Sequence, residues 1–240
     1  MEKIVVANLK MNFTAIEINN YLESIKDKIN TKNVIICPPN IYIPYFLRKK
    51  YSVGTQDAFN IDEGAYTGCV SAKQISSMGI KYTILGHSER REKFNETDKI
   101  VNSKVISALK SGLNVILCVG ETKEELDSNE TNIVLKRQLE KSLKNVSLDD
   151  TNKIMIAYEP IWSIGTGLVP TNKEIKTTIK YIKEVLKSIY NKDFKVLYGG
   201  SVTEKNIETI NKIEEISGVL VGGASLDADK LNKIKEVVLN

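Results

Sequence analysis

The sequence has little cysteine and no long apolar run, and each shortage excludes a class of protein. Among its 240 residues, the three cysteines Cys37, Cys69 and Cys118 include no Cys-x-x-Cys spacing. Neither a disulfide framework nor a zinc site is therefore indicated. No apolar run approaches the ~20 residues of a membrane-spanning helix, and the N-terminus lacks the anatomy of a signal peptide. We expect a cytoplasmic protein, with Cys37 and Cys118 buried in apolar strands.

The charge balance is mild, at 34 basic and 30 acidic residues for a net charge of +4. The basic residues are spread along the chain, and no basic run is interleaved with aromatic residues as in a nucleic-acid surface. We therefore expect a solvated surface, with no nucleic-acid partner and no membrane partner.

Eight short apolar runs predict β-strands buried on both faces, as is typical of parallel strands. They are Ile4–Ala7, Val34–Cys37, Val53–Gln56, Tyr82–Leu85, Val115–Val119, Ile154–Tyr158, Val196–Tyr198 and Gly218–Val221. The segments between them carry apolar stripes at helical spacing. The clearest stripes are Ile18, Leu22, Ile25 and Ile29, and Ile175, Ile179, Ile182, Leu186 and Ile189.

Four helical segments begin with a capping box, in which a hydroxyl and an acidic or amide side chain three residues later satisfy free N–H groups. The pairs are Thr14 with Glu17, Ser71 with Gln74, Thr122 with Glu125 and Thr171 with Glu174. Eight βα units in 240 residues average 30 residues each, which is the usual size of such a unit. An open doubly wound sheet of this length more often has six or fewer strands. The sequence therefore predicts an α/β protein with one domain, a (β/α)8 barrel over residues 1–240.

Reactive residues of such a barrel lie at the C-terminal ends of its strands. Here the sequence places Lys10, His87 and Glu159, together with two Gly-Gly pairs. Each has an ordinary structural alternative, as a rim lysine, a helix cap or a turn residue. Their convergence on one rim favours a functional site.

The turns Gly199-Gly200-Ser201 and Gly222-Gly223 predict a phosphate site, because glycine lets backbone N–H groups approach an anion. Turns after the seventh and eighth strands form the usual phosphate site of a barrel, and Gly165 is expected to close a third side. Gly165-x-Gly167 lacks the third glycine and the acidic partner of a dinucleotide site.

The segment after Glu159 is apolar and has glycines near its end. It comprises Pro160, Ile161, Trp162, Ser163, Ile164, Gly165, Thr166 and Gly167. A loop that exposes a tryptophan and two isoleucines needs a surface to cover. This pattern predicts a lid that closes and expels water; the alternative is a packed surface loop.

Five motifs resemble those of the triosephosphate isomerase family. They are Asn8-x-Lys10-Met11-Asn12, Gly86-His87-Ser88-Glu89-Arg90-Arg91, Ala157-Tyr158-Glu159-Pro160-Ile161-Trp162-x-Ile164-Gly165-Thr166-Gly167, Tyr198-Gly199-Gly200-Ser201-Val202 and Leu220-Val221-Gly222-Gly223-Ala224-Ser225-Leu226. The similarity runs essentially end to end. It implies the TIM barrel fold and the interconversion of dihydroxyacetone phosphate and D-glyceraldehyde 3-phosphate through an enediolate, a step of glycolysis and gluconeogenesis.

The resemblance also implies a role for each residue. Glu159 corresponds to the proton acceptor, His87 to the electrophile, and Glu89 to a supporting residue. The substrate is bound by Asn8, Lys10, Gly165, Ser201, Gly222 and Gly223. No step requires a metal or an organic cofactor. Because His87 begins a helix, whose dipole disfavours the imidazolium, we expect a neutral ring that does not titrate between about pH 5 and 8.

Several positions depart from the family pattern. Ala7 and Leu9 replace Gly and Trp, Asp57 replaces a common Asn, and Leu168 replaces a common Lys. Cys69 replaces a Glu, which removes an expected partner of Arg90. The resemblance implies a homodimer in which Asn60–Val70 inserts near the neighbouring subunit's active site, with Thr67 close to Asn8 and His87 there. We expect these changes to affect subunit affinity and not the chemistry.

Two other functions remain open from the residues alone. A Schiff-base aldolase of the same barrel class would use Lys10 as its nucleophile, and borohydride trapping would detect the adduct. A non-catalytic phosphate-metabolite binding protein would be expected to lack the base or the electrophile, and this sequence has both.

Overall fold

The computed structural model describes residues 2–29 and 32–240, so Met1, Asn30 and Thr31 of the predicted domain lie outside the described residues. All eight predicted strands are confirmed, with ends that shift by at most one residue. The strands are β1 (Ile4–Asn8), β2 (Val34–Cys37), β3 (Ser52–Thr55), β4 (Tyr82–Leu85), β5 (Asn114–Val119), β6 (Ile154–Tyr158), β7 (Lys195–Tyr198) and β8 (Gly218–Val221). Gln56, predicted as the end of the third strand, lies just beyond it.

The strands form a closed parallel barrel in chain order, with β8 pairing back to β1. Glycine is required at this seam. Gly218 has φ of +143°, and a Cβ there would lie 1.9 Å from the Ile4 carbonyl oxygen. The predicted (β/α)8 barrel is therefore confirmed.

Helices follow the strands and cover the outside of the barrel. They are α1 (Ala15–Ile25), α2 (Ile43–Arg48), α3 (Ala72–Ser77), α4 (Ser88–Lys93), α5 (Asp98–Lys110), α6 (Lys123–Asp127), α7 (Thr131–Ser142), α8 (Asn172–Tyr190), α9 (Ile207–Asn211) and α10 (Ala228–Leu239). Short 3-10 helices occupy Asn40–Tyr42, Asp149–Lys153, Ile161–Ser163 and Gly223–Leu226. In the part of the chain that the structure describes, no helix is long and apolar enough to cross a bilayer.

Local sequence signals set where several helices begin. All four predicted capping boxes are present, at the starts of α1, α3, α6 and α8. The predicted stripe of α8 is buried except at Ile189, which is 40% exposed, so the prediction was wrong for that residue. Under the last turn it is Tyr190 that packs on the buried Phe194, with ring centroids 5.6 Å apart.

The core forms two layers because side chains alternate along each strand. In β1, Val5 and Ala7 belong to the layer between the barrel and its helices, whereas Ile4 and Val6 fill the barrel interior. Both faces of the sheet are therefore buried, which makes the strand ends at the rim the place where polar side chains gather. Cys37 and Cys118 are buried free thiols, as predicted.

Candidate active site

A pocket of about 300 Å³ opens at the C-terminal rim of the barrel. On one side it is lined by Asn8, Lys10, His87 and Glu159. On the other side it is lined by the residues predicted to hold phosphate, Gly165, Ser201, Gly222 and Gly223. Residues from five strand ends and from the segment after β6 thus meet in one cavity.

His87 and Glu159 face each other across the floor of this pocket. His87 Nε2 lies 3.2 Å from Glu159 Oε1, and the two residues are only 4% and 3% exposed. His87 is also the N-cap of α4, where its Nδ1 accepts the backbone N–H of Glu89 at 3.2 Å. Because Nδ1 is the acceptor, a neutral ring carries its proton on Nε2, directed at the carboxylate.

The contact sets the protonation of both groups. Burial lowers the pKa of His87. The Glu159 carboxylate raises this pKa by more than burial lowers it, so the pKa lies above its ordinary value. Burial raises the pKa of Glu159, and His87 more than offsets this, so that pKa is lowered. The sequence prediction that the helix start leaves His87 neutral therefore omitted the dominant neighbour.

Lys10 adopts an unusual backbone conformation that two side chains support. Its φ is +51°, in the left-handed region, which is uncommon for a residue other than glycine. Asn8 Oδ1 accepts the Lys10 backbone N–H at 3.0 Å. Gln56 Nε2 donates to the Lys10 carbonyl at 2.8 Å and to the Cys37 carbonyl at 2.9 Å. Strain of this kind persists only where neighbours fix it, and it clusters at functional sites.

The Lys10 ammonium lies in the pocket with Glu89 behind it. Lys10 Nζ donates to Glu89 Oε1 at 2.8 Å. Burial raises the pKa of Glu89, but Lys10 outweighs that effect and leaves the pKa below its ordinary value. Glu89 therefore carries a negative charge that fixes the direction of the lysine.

Two glycines make room for Glu159. A Cβ on Gly199 would lie 2.9 Å from Glu159 Cγ, and one on Gly120 would lie 1.7 Å from the Glu159 carbonyl oxygen. Neither glycine has the positive φ that would explain it by conformation, so close approach is the physical reason for both. Gly199, predicted to serve the phosphate, therefore also accommodates Glu159.

The glycine-rich side of the pocket is built from β7 and β8. Gly223 begins the 3-10 helix Gly223–Leu226, and a Cβ on Gly222 would lie 3.2 Å from Lys10 Cε. The Ser201 backbone N–H donates to Ser163 Oγ at 3.1 Å. The predicted phosphate side is thus joined to Lys10 at one end and to the predicted lid at the other.

The predicted lid is bonded both to itself and to the barrel rim. Thr166 Oγ1 donates to the Trp162 carbonyl at 3.0 Å. The Trp162 indole N–H donates to Glu121 Oε1 at 2.9 Å, and the Tyr158 hydroxyl reaches the same oxygen at 3.1 Å. Gly165 and Thr166 are exposed, and Gly165 lines the pocket.

Sequence reasoning missed Gln56 and Glu121. Gln56 follows β3, and Glu121 lies two residues after β5. Both are polar residues at strand ends, which was the signal that identified Lys10 and His87. A polar residue at the end of each predicted strand is the signal that identifies both.

The departures from the family pattern lie mostly away from the pocket. Ala7 and Leu9 are buried in the core, whereas Leu168 is 56% exposed. Cys69 is an exposed free thiol. Arg90 nevertheless keeps acidic partners within its own chain.

Arg90 has two acidic partners within the chain. Its Nη2 lies 3.1 Å from Asp57, and its Nε lies 2.7 Å from Glu96. Lys104 joins the same two carboxylates. Asp57, itself a departure, thus supplies a negative charge to Arg90 from its own chain.

Comparisons with known proteins agree with this architecture. The family model described as triosephosphate isomerase matches residues 3–238. The chain is 41% identical to the triosephosphate isomerase of Thermodesulfovibrio yellowstonii, over 97% of this chain and 98% of that protein. It is 42% identical to that of Malacoplasma penetrans, over 99% of each chain. It is 40% identical to one from Clostridium botulinum, over 96% of this chain and 97% of that protein.

Proposed function

The chain belongs to the triosephosphate isomerase family, and from that premise we propose how its residues interconvert dihydroxyacetone phosphate and D-glyceraldehyde 3-phosphate. It is an intramolecular aldose–ketose isomerase. Glu159 removes the proton from the carbon beside the carbonyl and returns it to the neighbouring carbon, and the hydroxyl proton moves from one substrate oxygen to the other. His87 and Lys10 stabilise the negative charge that develops on oxygen in the enediolate between these two steps.

The observation that carries this proposal is the buried pair of Glu159 and His87, 3.2 Å apart at the floor of the pocket. A substrate whose carbonyl oxygen faces Nε2 and whose C–H faces the carboxylate must enter between them. Substrate then replaces the carboxylate that raises the pKa of His87. Burial and the helix start remain, and both favour a neutral ring that donates Nε2–H.

Lys10, Asn8 and Glu89 act together on the substrate side. Glu89 holds the Lys10 ammonium at 2.8 Å, and Asn8 fixes the strained Lys10 backbone. An ammonium held by a carboxylate is suited to electrostatic stabilisation. A Schiff-base aldolase would instead require the uncharged amine as nucleophile.

The glycine turns bind the phosphate, and the lid covers it. Gly222 and Gly223 at the start of a 3-10 helix, together with Ser201, offer backbone and hydroxyl donors to an anion. Gly165 supplies the third side from the lid. Closure expels water, which strengthens each electrostatic contact within the site.

The experiment is a coupled assay with glyceraldehyde 3-phosphate on the parent and on Glu159→Gln. We expect kcat to fall by about 10²–10⁴ while KM stays comparable, because only the base is lost. Glu184→Gln makes the same chemical change at an exposed position of α8 and should leave activity at the parental level. Activity of Glu159→Gln within a few-fold of the parent would assign the base elsewhere. A borohydride-trapped adduct on Lys10 would favour the aldolase.

We further propose a homodimer in which Asn60–Val70 inserts beside the neighbouring subunit's site. The Phe59 N–H donates to the Val70 carbonyl at 2.8 Å, which closes the base of the loop. Tyr66 is 46% exposed at its tip. A loop that is closed at its base and presents an aromatic side chain outward is suited to an interface.

We also propose that the enzyme is cytoplasmic. Its three cysteines are free thiols, and this is the state that a reducing compartment maintains.

A further inference from the structure

Arg91 is a mostly buried arginine to which the proposed reaction gives no role. It lies on α4 four residues after His87, and its side chain is only 13% exposed. Burying a guanidinium is costly unless its donors are satisfied. Its partners therefore indicate what the charge does in this position.

The guanidinium bonds two backbone carbonyls at the rim. Nε donates to the Gly86 carbonyl at 2.7 Å, and Nη2 donates to the Cys118 carbonyl at 3.4 Å. The last register pair between β4 and β5 is Leu85 with Leu117. Gly86 directly follows β4, and Cys118 is the next residue of β5, so Arg91 connects the two chain segments just beyond the last pair of their ladder.

These two carbonyls flank the reacting pair. Gly86 immediately precedes His87, and its φ of +70° turns the chain into α4. A Cβ on Gly86 would lie 3.0 Å from Arg91 Nη2, so the guanidinium packs directly on this peptide. Beyond Cys118, the Val119 carbonyl accepts the Glu159 backbone N–H at 2.8 Å.

We propose that Arg91 is a positioning residue that sets the separation of His87 and Glu159 by bridging the ends of β4 and β5. The proposal rests on the roles given above to these two residues. Asp98 holds the bridge in place, since its Oδ1 accepts Arg91 Nη1 at 2.7 Å. A lysine would keep the charge but could not present three donors in a fixed plane.

The test combines kinetics with NMR of Arg91→Lys. We expect kcat to fall roughly 10- to 100-fold with KM within about twofold, because a small misplacement of catalytic groups carries a cost of this size. His87 is the chain's single histidine, so its imidazole resonances are assigned without ambiguity. They should shift in the folded variant, which a role in stability alone would not cause.

Arg137→Lys is the matched control. Arg137 approaches Asp98 at 3.6 Å from a side chain that is 44% exposed, so this variant should keep parental kcat and parental His87 resonances. Asp98→Asn, which weakens the hold on Arg91, should shift His87 in the same direction by less. If Arg91→Lys does not fold, the His87 shift in Asp98→Asn tests the proposal instead.

Parental kcat and parental His87 resonances in a folded Arg91→Lys protein would overturn the proposal. The NMR readout does not depend on turnover. If Glu159→Gln kept its activity, the assigned chemistry would fail, while the His87 shift would still report whether Arg91 positions the ring.

Discussion

The indole N–H of Trp162 donates to Glu121 Oε1 over 2.9 Å, so one hydrogen bond joins the middle of the lid to the barrel rim. Glu121 follows β5 and is 1% exposed, which makes it a fixed point. A lid that moves over the pocket must exchange this bond for others. Trp162 is the chain's only tryptophan, and its fluorescence therefore reports on this one contact.

The first prediction concerns lid closure. Phosphoglycolate, a mimic of the enediolate, should shift the emission of Trp162 because closure takes the indole away from the Glu121 carboxylate. Inorganic phosphate should cause a smaller change, since it has less differential affinity for the closed arrangement. A titration of each ligand to saturation measures this. An unchanged spectrum with saturating phosphoglycolate would contradict the lid.

The second prediction concerns pH. Burial raises the pKa of Glu121 above its ordinary value of 4.5, against the lowering effect of the Trp162 hydrogen bond. As the pH falls through that raised value, the acceptor loses its charge and the bond weakens. Trp162 emission should change with a midpoint above 4.5, and Glu121→Gln should remove the transition. If the transition persisted in Glu121→Gln, a group other than Glu121 would cause the change in Trp162 emission.

The third prediction tests the support of Lys10. Gln56→Met removes the donor to the Lys10 and Cys37 carbonyls at nearly constant side-chain volume, and kcat/KM should fall about tenfold because the strained Lys10 backbone loses one of its two supports. Gln74→Met is the matched control, because it removes part of the α3 capping box. It should lower the free energy of unfolding by about 1 kcal/mol and leave kcat/KM unchanged. Equal values of kcat/KM in the two variants would mean that Gln56 does not support Lys10 in the active site.

The fold was predictable wherever local sequence determines structure. Apolar runs located the strands within one residue, and the boxes at Thr14, Ser71, Thr122 and Thr171 located helix starts, because each signal acts within four residues. The prediction that Ile189 is buried was wrong because helical periodicity does not reveal how Tyr190 and Phe194 pack beneath the last turn. Such packing depends on residues that come together only in the folded chain.

The site was predictable as a list of residues but not as a set of contacts. Strand ends and the family resemblance identified Glu159 and His87, yet neither indicates that Oε1 lies 3.2 Å from Nε2. The raised pKa of His87 follows from that distance. Likewise, the family resemblance led to the expectation that Cys69 removes one partner of Arg90. It did not show that Asp57 would lie 3.1 Å from the same guanidinium.

The fourth prediction uses Cys69 to test the dimer. Cys69 is exposed, whereas Cys37 and Cys118 are buried. A thiol reagent should therefore modify one cysteine quickly in the isolated subunit. If Asn60–Val70 inserts into a neighbour, the reaction of Cys69 should slow as protein concentration rises, in step with association measured by sedimentation. Thr67→Glu should weaken association and restore fast modification. A sedimenting monomer at all concentrations, with a constant rate of modification, would contradict the dimer.

The last prediction concerns the single histidine. In the parent, the Glu159 carboxylate holds the pKa of His87 above its ordinary 6.5 against the lowering effect of burial. Glu159→Gln removes the carboxylate but keeps the burial, so the pKa should fall below 6.5 in the variant. Imidazole nitrogen shifts followed from about pH 5 to 8 distinguish the two cases.

The raised pKa of His87 also determines how the stability of the parent depends on pH. A folded pKa above the unfolded value means that protonated His87 stabilises the parent fully below about pH 6.5. This contribution is lost as the pH rises through the folded value. Lys10→Met serves as a control, because Lys10 lowers the pKa of His87 and its loss should move the midpoint upward, opposite to Glu159→Gln. If the midpoint did not move in Glu159→Gln, the carboxylate would not be the group that sets the charge of the ring.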